Sequence, residues 1–495
     1  MDDMESIKLN RKNLHLLKQP VTVPSYKNDL IPSIIHIGLG HFHRAHQSAY
    51  LDELLNRRIC NDGVTEINLI PDSFPIAEIL EKQDYLYTLI TKSPGPETEV
   101  HVIGTILNYI NAARNRGQAI ARTADEKTKL ITLTVTEGGY YFDKKTHAPN
   151  VNEEAVKWDL SHPDDPKTAP GFLAAVLAKR FRENKKPLTI MCCDNVFSNG
   201  EVLHSSVMFF CREHHKEIIS WIDDNVSFPS SMVDRITPGT TPALIEELEK
   251  KYGIIDGWPV CGEDFIQWVL EDNFKTKVPD YDLAGVQIVK DVGPYEMMKM
   301  RLLNGSHMAL AYQSYLLGCR LVDDAITQPL VKKFIRNYFM EEAGATLLPV
   351  PGIDVNNYKD ILVSRFSNKN ISDTVLRLCS QGSSKIPTFI YTSLTDTIKK
   401  NLPHSALCFA IATWARFLSG KDESGNEIPI VDVSGDKIYA AAADALRDPK
   451  GFFITTGLQN LNDNELGIAA ECFKKHLENI SKKGMKTALE EFLRS

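Results

Sequence analysis

The chain has 495 residues, of which 43% are hydrophobic and 24% charged, and its formal net charge is −8. That length is too great for a single core and implies at least two domains. The negative balance argues against nucleic acid as the main partner. No run of eighteen apolar residues offers a membrane span. The opening MDDMESIKLNRKNLHLL has no apolar centre to act as a signal peptide. Nine cysteines are scattered without a CxxC pair, which is reduced, cytoplasmic usage and gives no framework for structural zinc.

In chain order, the first signal is SIIHIGLGHFHRAHQSAYLDELL. The β-branched run Ser33 to Ile37 predicts a strand, and Gly38 and Gly40 a tight turn. Ala45, Ala49, Leu51 and Leu54 give the buried face of one following helix. Strand, glycine turn and helix open a dinucleotide-binding unit. Glycine lets the backbone approach a pyrophosphate, and the free N–H groups of the helix start attract its charge. The candidate cofactor segment is Ile37, Gly38, Leu39, Gly40, His41, Phe42, His43 and Arg44. His43 takes the third position of the glycine fingerprint, and Arg44 is a candidate to neutralise phosphate. His41, His43 and His46 straddle the turn with no acid nearby and are not read as a metal site.

A second strand is predicted at Val64 to Ile70, followed by Pro71 and Asp72. An acid at that strand end can accept from an adenosine ribose diol, which would favour NAD over NADP by charge repulsion. Asp72 serves equally well as a plain turn aspartate. Leu86 to Thr91 and Glu99 to Gly104 read as strands, Ala112 to Thr123 as a helix, and Lys129 to Thr136 as a strong strand. Thr136 and Glu137 then stand where ligands gather in open α/β sheets. Gly171 to Arg182 is helical. Pro187 to Cys193 is a buried strand ending in Asp194 and Asn195, with Asn195 placed to reach a ligand. Asn199-Gly200 closes a turn before a helix from Val202 to Asn225. Ser231 to Ile236 is strand-like, and Pro242 to Lys251 helical.

Strand signals thin out near residue 290. The division expected is an α/β, Rossmann-type dinucleotide-binding domain over 1–288 and a mostly α-helical substrate domain over 289–495. Helical patterns cover Pro329 to Glu342, Tyr358 to Phe366, Thr374 to Cys379, Leu394 to Lys400, Ala406 to Phe417, Lys437 to Arg447 and Glu465 to Phe492.

The most informative stretch is GPYEMMKMRLLNGSHMALAYQSYLLG, Gly293 to Gly318. Its apolar spacing predicts one or two buried helices, interrupted by Lys299, Asn304 and His307. A lysine is seldom buried without a function or a partner. On one straight helix Lys299 and Asn304 would lie ~140° apart, so a bend or break is expected at Asn304-Gly305. An oxidoreductase of alcohols needs a base and donors for the developing alkoxide. Lys299 can be the base if burial lowers its pKa, Asn195 and Asn304 the donors, and His307 a group that orients the hydroxyl. Glu296, one turn before Lys299, either passes the proton outward or is its ion partner. The Tyr-xxx-Lys arrangement of short-chain dehydrogenases also occurs, as Tyr140 with Lys144 and Tyr295 with Lys299, and is the minor alternative.

Together GLGHFHRAHQ, TVTEGGYY, CDNVFSNG, VDRITP, WVLEDNF and KMRLLNGSH resemble the mannitol dehydrogenase family of polyol-specific long-chain dehydrogenases over most of the chain. The resemblance implies metal-independent, NAD(P)-linked oxidation of a polyol, D-mannitol above all, at its second carbon to a ketose, D-fructose, and the reverse; the Asp72 reading makes NAD the expected cofactor and NADP the lesser one. It implies Lys299 as general base, Asn195 and Asn304 as oxyanion donors and His307 as a substrate ligand. Asp234, Arg377 and Lys385 follow as polyol contacts, the last two on looser matches. It leaves open arabinitol, sorbitol and hexuronate substrates, the last because Arg377 and Lys385 suit a carboxylate. The partners expected are a small polyol or ketose, with a monomer or small homo-oligomer. The rival from another class is a nucleotide-binding sensor without catalysis.

Overall fold

The computed structural model describes residues 6–26, 29–71, 75–143 and 148–494. The chain divides into two compact units, Met1–Gly293 and Pro294–Ser495. In the first, a six-stranded sheet is built from β1 (Ile31–Ile37), β2 (Asp62–Asn68), β3 (Ile106–Asn111), β4 (Leu130–Leu133), β5 (Leu188–Cys192) and β6 (Val226–Ser227). Every pairing is parallel and the order is β6-β5-β4-β1-β2-β3. This is the doubly wound order, whose reversal beside β1 leaves a crevice at the strand ends. The strands are near-continuous runs of Ile, Leu and Val because both faces are covered: Ile35, Ile37, Leu130, Ile131 and Leu133 are all fully buried.

Helices α1 (His41–Ala45), α2 (Gln47–Asn56), α3 (Ala169–Arg182) and α4 (Asn199–His214) belong to this unit. Helix α3 starts where the Thr168 hydroxyl accepts the Gly171 N–H and Pro170 sits in the first turn. It buries Phe172, Leu173, Val176 and Leu177 in the apolar cluster that also holds strands β4 and β5. A smaller sheet has β7 (Ser231–Asp234) antiparallel to β8 (Gln267–Glu271), which runs parallel to β9 (Gln287–Val289). The unit also holds a four-stranded sheet of Val21–Thr22, Tyr87–Lys92, Thr98–Ile103 and Val260–Glu263.

The second unit is helical. Helix α5 (Gly293–Met298), a π-helical segment Lys299–Asn304, and α6 (Gly305–Leu316) follow one another directly. Helix α6 packs on α7 (Val375–Cys379), α8 (Gly382–Ile386) and α9 (Ser405–Phe417), and α9 packs on α10 (Asp463–Lys483). No helix of the described residues is long and apolar enough to cross a membrane. The Rossmann-type sheet and the mostly helical C-terminal half are the architecture expected from the sequence.

Several local expectations need correction. The helix after the glycine turn is two helices, broken at His46, whose φ of −121° and ψ of −84° are not helical. The helix expected over Ala112 to Thr123 starts only at Arg116, after a turn at 112–114, and an unexpected sheet strand, Ile106–Asn111, precedes it. Asn199 and Gly200 begin α4 rather than close a turn. A Cβ at Gly200 would lie 2.3 Å from the Phe228 carbonyl oxygen, so glycine there lets the helix start against a passing backbone. The long C-terminal helix stops at Gly484, φ +80°, and resumes at Met485. The break expected at Asn304-Gly305 does not occur, since both residues keep right-handed helical angles.

Candidate active site

The glycine turn is held from three sides. Gly38 has φ +118°, and a Cβ there would fall 2.3 Å from the Thr134 carbonyl oxygen on the neighbouring strand. Only glycine satisfies both conditions. The Gly38 N–H donates to Ile67 O at 2.9 Å, and the Leu39 N–H to the Asn68 side-chain oxygen at 3.0 Å. Gly40 is different. Its φ of −111° suits any residue, and a Cβ there would meet nothing closer than Gly38 O at 3.7 Å. The space beside Gly40 is therefore open to an approaching group, and the start of α1 follows with N–H groups that no helix carbonyl takes. Such a cradle fits a pyrophosphate.

The side chains of the turn face inward. Arg44 is fully buried; it donates to Trp258 O at 2.7 Å and Gly40 O at 3.2 Å, and its guanidinium lies 5.1 Å from the Tyr87 ring centre. It braces the turn from within the core and is not aimed at phosphate, which corrects that expectation. His43 occupies the volume beneath the turn. Its Nε2 is 3.0 Å from Glu66 and 3.0 Å from the Ser48 hydroxyl, and its ring stacks on His36 at 3.5 Å with 15° between planes. His36 and Glu66 meet it because they are register partners on β1 and β2. Burial, and then His43, hold His36 well below its ordinary pKa.

Among the described residues His36, His43 and Glu66 are the one group whose potential metal ligands lie within 4.8 Å of one another. Both His36 nitrogens are already hydrogen-bonded, to Thr132 at 2.7 Å and Thr134 at 2.8 Å. Two stacked parallel rings also share no point in both ring planes where an ion could sit. The arrangement is a histidine–carboxylate contact beneath a stacked ring, not a chelate. His46 is engaged elsewhere, with Nε2 2.9 Å from Gln267 O.

The remaining predicted residues of the first unit stand at strand ends. Thr136 and Glu137 follow β4 and are exposed, as is Asn195 after β5. Asp234 ends β7 and is 3% exposed. Asp72 lies outside the described residues; β2 stops at Asn68, and it is Asn68 that touches the glycine turn. Sequence reading missed Asn68 because it set the strand end two residues late.

In the second unit one helical run carries Glu296, Lys299, Asn304 and His307. Glu296, Lys299 and His307 are 3%, 5% and 7% exposed, and Asn304 is half-buried. The π-helical segment solves the spacing problem that the sequence posed. Where hydrogen bonds run from i to i+5, residues five apart return to nearly the same face. Lys299 and Asn304 are so spaced, and His307 follows Asn304 by three in α6. Glu296 precedes Lys299 by three in α5. Two contacts fix the segment. Arg301, 4% exposed, donates to the Thr346 hydroxyl and to Asp396 at 2.5 Å. A Cβ at Gly305 would lie 3.0 Å from Phe389 O, so the run passes close to a second π-helical turn, Pro387–Tyr391. The His307 ring packs on Phe366 at 4.4 Å.

Arg377 and Lys385 are placed less tellingly. Arg377 is exposed on α7 and held in a fork by Asp373 at 2.6 and 2.5 Å. Lys385, half-buried on α8, donates to Leu378 O at 3.4 Å. The tyrosine alternative loses ground. Tyr140 is buried, donates to Asp194 at 2.6 Å, and has its pKa pushed well up by burial and by that carboxylate. Tyr295 donates to Pro351 O at 2.8 Å, and burial raises it also. A phenol serving as base needs the opposite shift. Lys144 lies outside the described residues.

With this geometry in place, comparison with known proteins is specific. Residues 32–283 match the family model of the mannitol dehydrogenase Rossmann domain, and residues 291–480 that of the mannitol dehydrogenase C-terminal domain. A mannitol 2-dehydrogenase of Aspergillus fumigatus is 38% identical over 458 residues, 90% of this chain and 91% of the relative. One from Phaeosphaeria nodorum is 37% identical over 494 residues, 98% and 86% of the two chains. Among solved structures, Pseudomonas fluorescens mannitol 2-dehydrogenase in ternary complex with NAD and D-mannitol has TM-score 0.92 and 36% identity, covering 99% of this chain and all (100%) of that one. A substrate-free D-sorbitol dehydrogenase has TM-score 0.85 and 32% identity, covering 97% and 100%.

Proposed function

The chain belongs to the mannitol dehydrogenase family, and from that premise we propose that it oxidises D-mannitol at C2 to D-fructose and catalyses the reverse reduction, with NAD as cofactor and without a metal. It is an oxidoreductase acting on a CH–OH group. The observation that carries the fuller reading is the π-helical segment, which brings a buried lysine and an amide five residues apart to one helix face.

In this reading the turn Gly38 to Phe42 would hold the pyrophosphate of NAD, which when bound would supply the acceptor for the hydrogen that leaves C2 with its electron pair. Lys299 takes the proton of the C2 hydroxyl. At 5% exposure its ammonium form loses most of its hydration, the condition under which an amine works as a base. Asn195 and Asn304 donate amide N–H groups to the oxygen left behind. His307 fixes the orientation of the same hydroxyl. Glu296, one helical turn before Lys299, receives the proton or stands as its ion partner. Asp234 and Lys385 take further hydroxyls. Arg377 already spends two of its five N–H donors on Asp373, leaving Nη1 and the second N–H of Nη2 for substrate.

The decisive experiment is a panel of D-mannitol, D-sorbitol and D-arabinitol with NAD and NADP, and of D-fructose and D-fructuronate with NADH. The expected result is the highest kcat/KM for mannitol with NAD and for fructose in reverse, unchanged after exhaustive chelation. A preference for fructuronate would move the assignment to a uronate reductase. Cofactor binding without any turnover would make the chain a nucleotide sensor.

A further inference from the structure

Four positions given roles above stand at strand ends: Thr136 and Glu137 follow β4, Asn195 follows β5, and Asp234 is the last residue of β7. One polar network, centred on Asp194, ties the ends of β4 and β5 together and reaches the start of β7. The Asp194 carboxylate accepts the Val135 N–H at 3.0 Å, the Thr136 N–H at 2.9 Å and the Tyr140 hydroxyl at 2.6 Å. Its backbone carbonyl accepts the Val196 N–H at 2.8 Å and the Asn199 side-chain amide at 3.0 Å. The Val196 bond closes a three-residue turn with Asn195 at its tip. Asn199 continues the network. Its amide nitrogen donates to Ser231 O at 2.7 Å, its oxygen accepts the Ser231 N–H at 2.9 Å, and the Ser231 hydroxyl donates to Cys192 O at 2.5 Å. Ser231 opens β7, whose last residue is Asp234.

The backbone shows what this network holds against. Thr136 has φ +65°, Tyr141 +51° and Ser198 +50°, all non-glycine residues in the left-handed region on either side of Asp194. Such conformations persist where neighbouring contacts over-determine them. Three donors converging on one carboxylate do so at Thr136. The side chain needed there offers two acceptor oxygens and no donor, which aspartate does and asparagine does not.

We propose that Asp194 is the positioning residue for Asn195: it locks the end of β5 to the end of β4 so that the Asn195 amide is preset before substrate arrives. The proposal rests on the reading of Asn195 as an amide donor to the alkoxide, and the test separates the two. Asn195→Ala should lower kcat for mannitol oxidation ~10²-fold, as loss of one oxyanion donor does. Asp194→Asn sets an NH2 against a backbone N–H and should lower kcat ~10-fold or more, with melting temperature recorded alongside. The double variant should be no slower than Asn195→Ala alone, because nothing is left to position.

If the two losses multiply in the double variant, Asp194 acts through something other than Asn195 and the proposal falls, while the function stands. If Asn195→Ala turns over normally, the amide-donor reading fails and takes the proposal with it. Should Asp194→Asn not fold, Tyr140→Phe removes one of the three donors and leaves the carboxylate in place. Its loss of kcat should be severalfold in the wild-type background and absent in the Asn195→Ala background. Equal losses in both would overturn the proposal.

Discussion

At Lys299 the proposed chemistry rests on a single amine at the start of a π-helical turn. Lys299→Ala should lower turnover by ~10²–10⁴-fold, the range for a general base, with far-UV circular dichroism unchanged. Near-normal turnover in a folded variant would remove the lysine from that role. The two glycines of the nucleotide turn make a sharper pair. Gly38→Ala forces a Cβ to within 2.3 Å of Thr134 O at φ +118° and should destabilise the protein by ~1–3 kcal/mol from the backbone conformation alone. Gly40→Ala meets no such contact, so its melting temperature should stay near wild type while NAD affinity falls at least tenfold. Equal thermal losses in both variants would mean that Gly40 too is needed for folding. From the sequence the two glycines were indistinguishable, because each needs its spatial neighbour to show which role it has.

Elements shifted more than individual residues did. A 3.6-residue period was visible through Gly293 to Gly318, but a single inserted turn keeps the apolar pattern while changing which polar residues align. The spacing of Lys299 and Asn304 therefore read as a bend. The structure meets it with a wider π-helical turn, where Arg301 bonds Asp396 and Gly305 passes close to Phe389 O. Similarly, α1 and α2 read as one helix, since nothing in HFHRAHQSAY marks His46 as non-helical. Helix α2 also carries a titrating group. Asp52 receives the Tyr26 hydroxyl at 2.5 Å and the Asn56 amide at 2.7 Å, and burial raises its pKa from 3.8 to about 7. An acid whose folded pKa is raised binds a proton in the folded state that the unfolded chain has released. Its contribution to stability therefore falls as pH rises from about 4 to about 7, by up to ~1.4 kcal/mol per unit. Denaturant titrations across that window should show the slope, and Asp52→Asn should flatten it. An unchanged slope in the variant would place the titration elsewhere.

For the whole molecule, ligand linkage offers the broadest check. NAD at about one hundred times its Kd should add ~2.7 kcal/mol against unfolding, and NADP at the same concentration less, if Asp72 repels the extra phosphate. Thermal shifts that are equal for the two cofactors at every concentration would remove that discrimination. An Asp72→Ala variant should narrow the difference by weakening NAD more than NADP.

The sequence alone determined the class of fold and the family, and it named the residues proposed for the site. Alternating strands and helices, a glycine turn after the first strand, and Lys-x4-Asn-x2-His in an apolar run are local signals that survive without coordinates. Tertiary structure decided what each polar group faces. It turned Arg44 and His43 into the core, gave Asn68 the contact with the glycine turn, bound Arg377 to Asp373, and tied the ends of β4 and β5 together at Asp194. The reason is physical: periodicity reports burial and direction along one element, whereas a hydrogen bond between residues 58 or 59 positions apart, such as those from Thr136 and Val135 to Asp194, exists only once the sheet has set β4 beside β5.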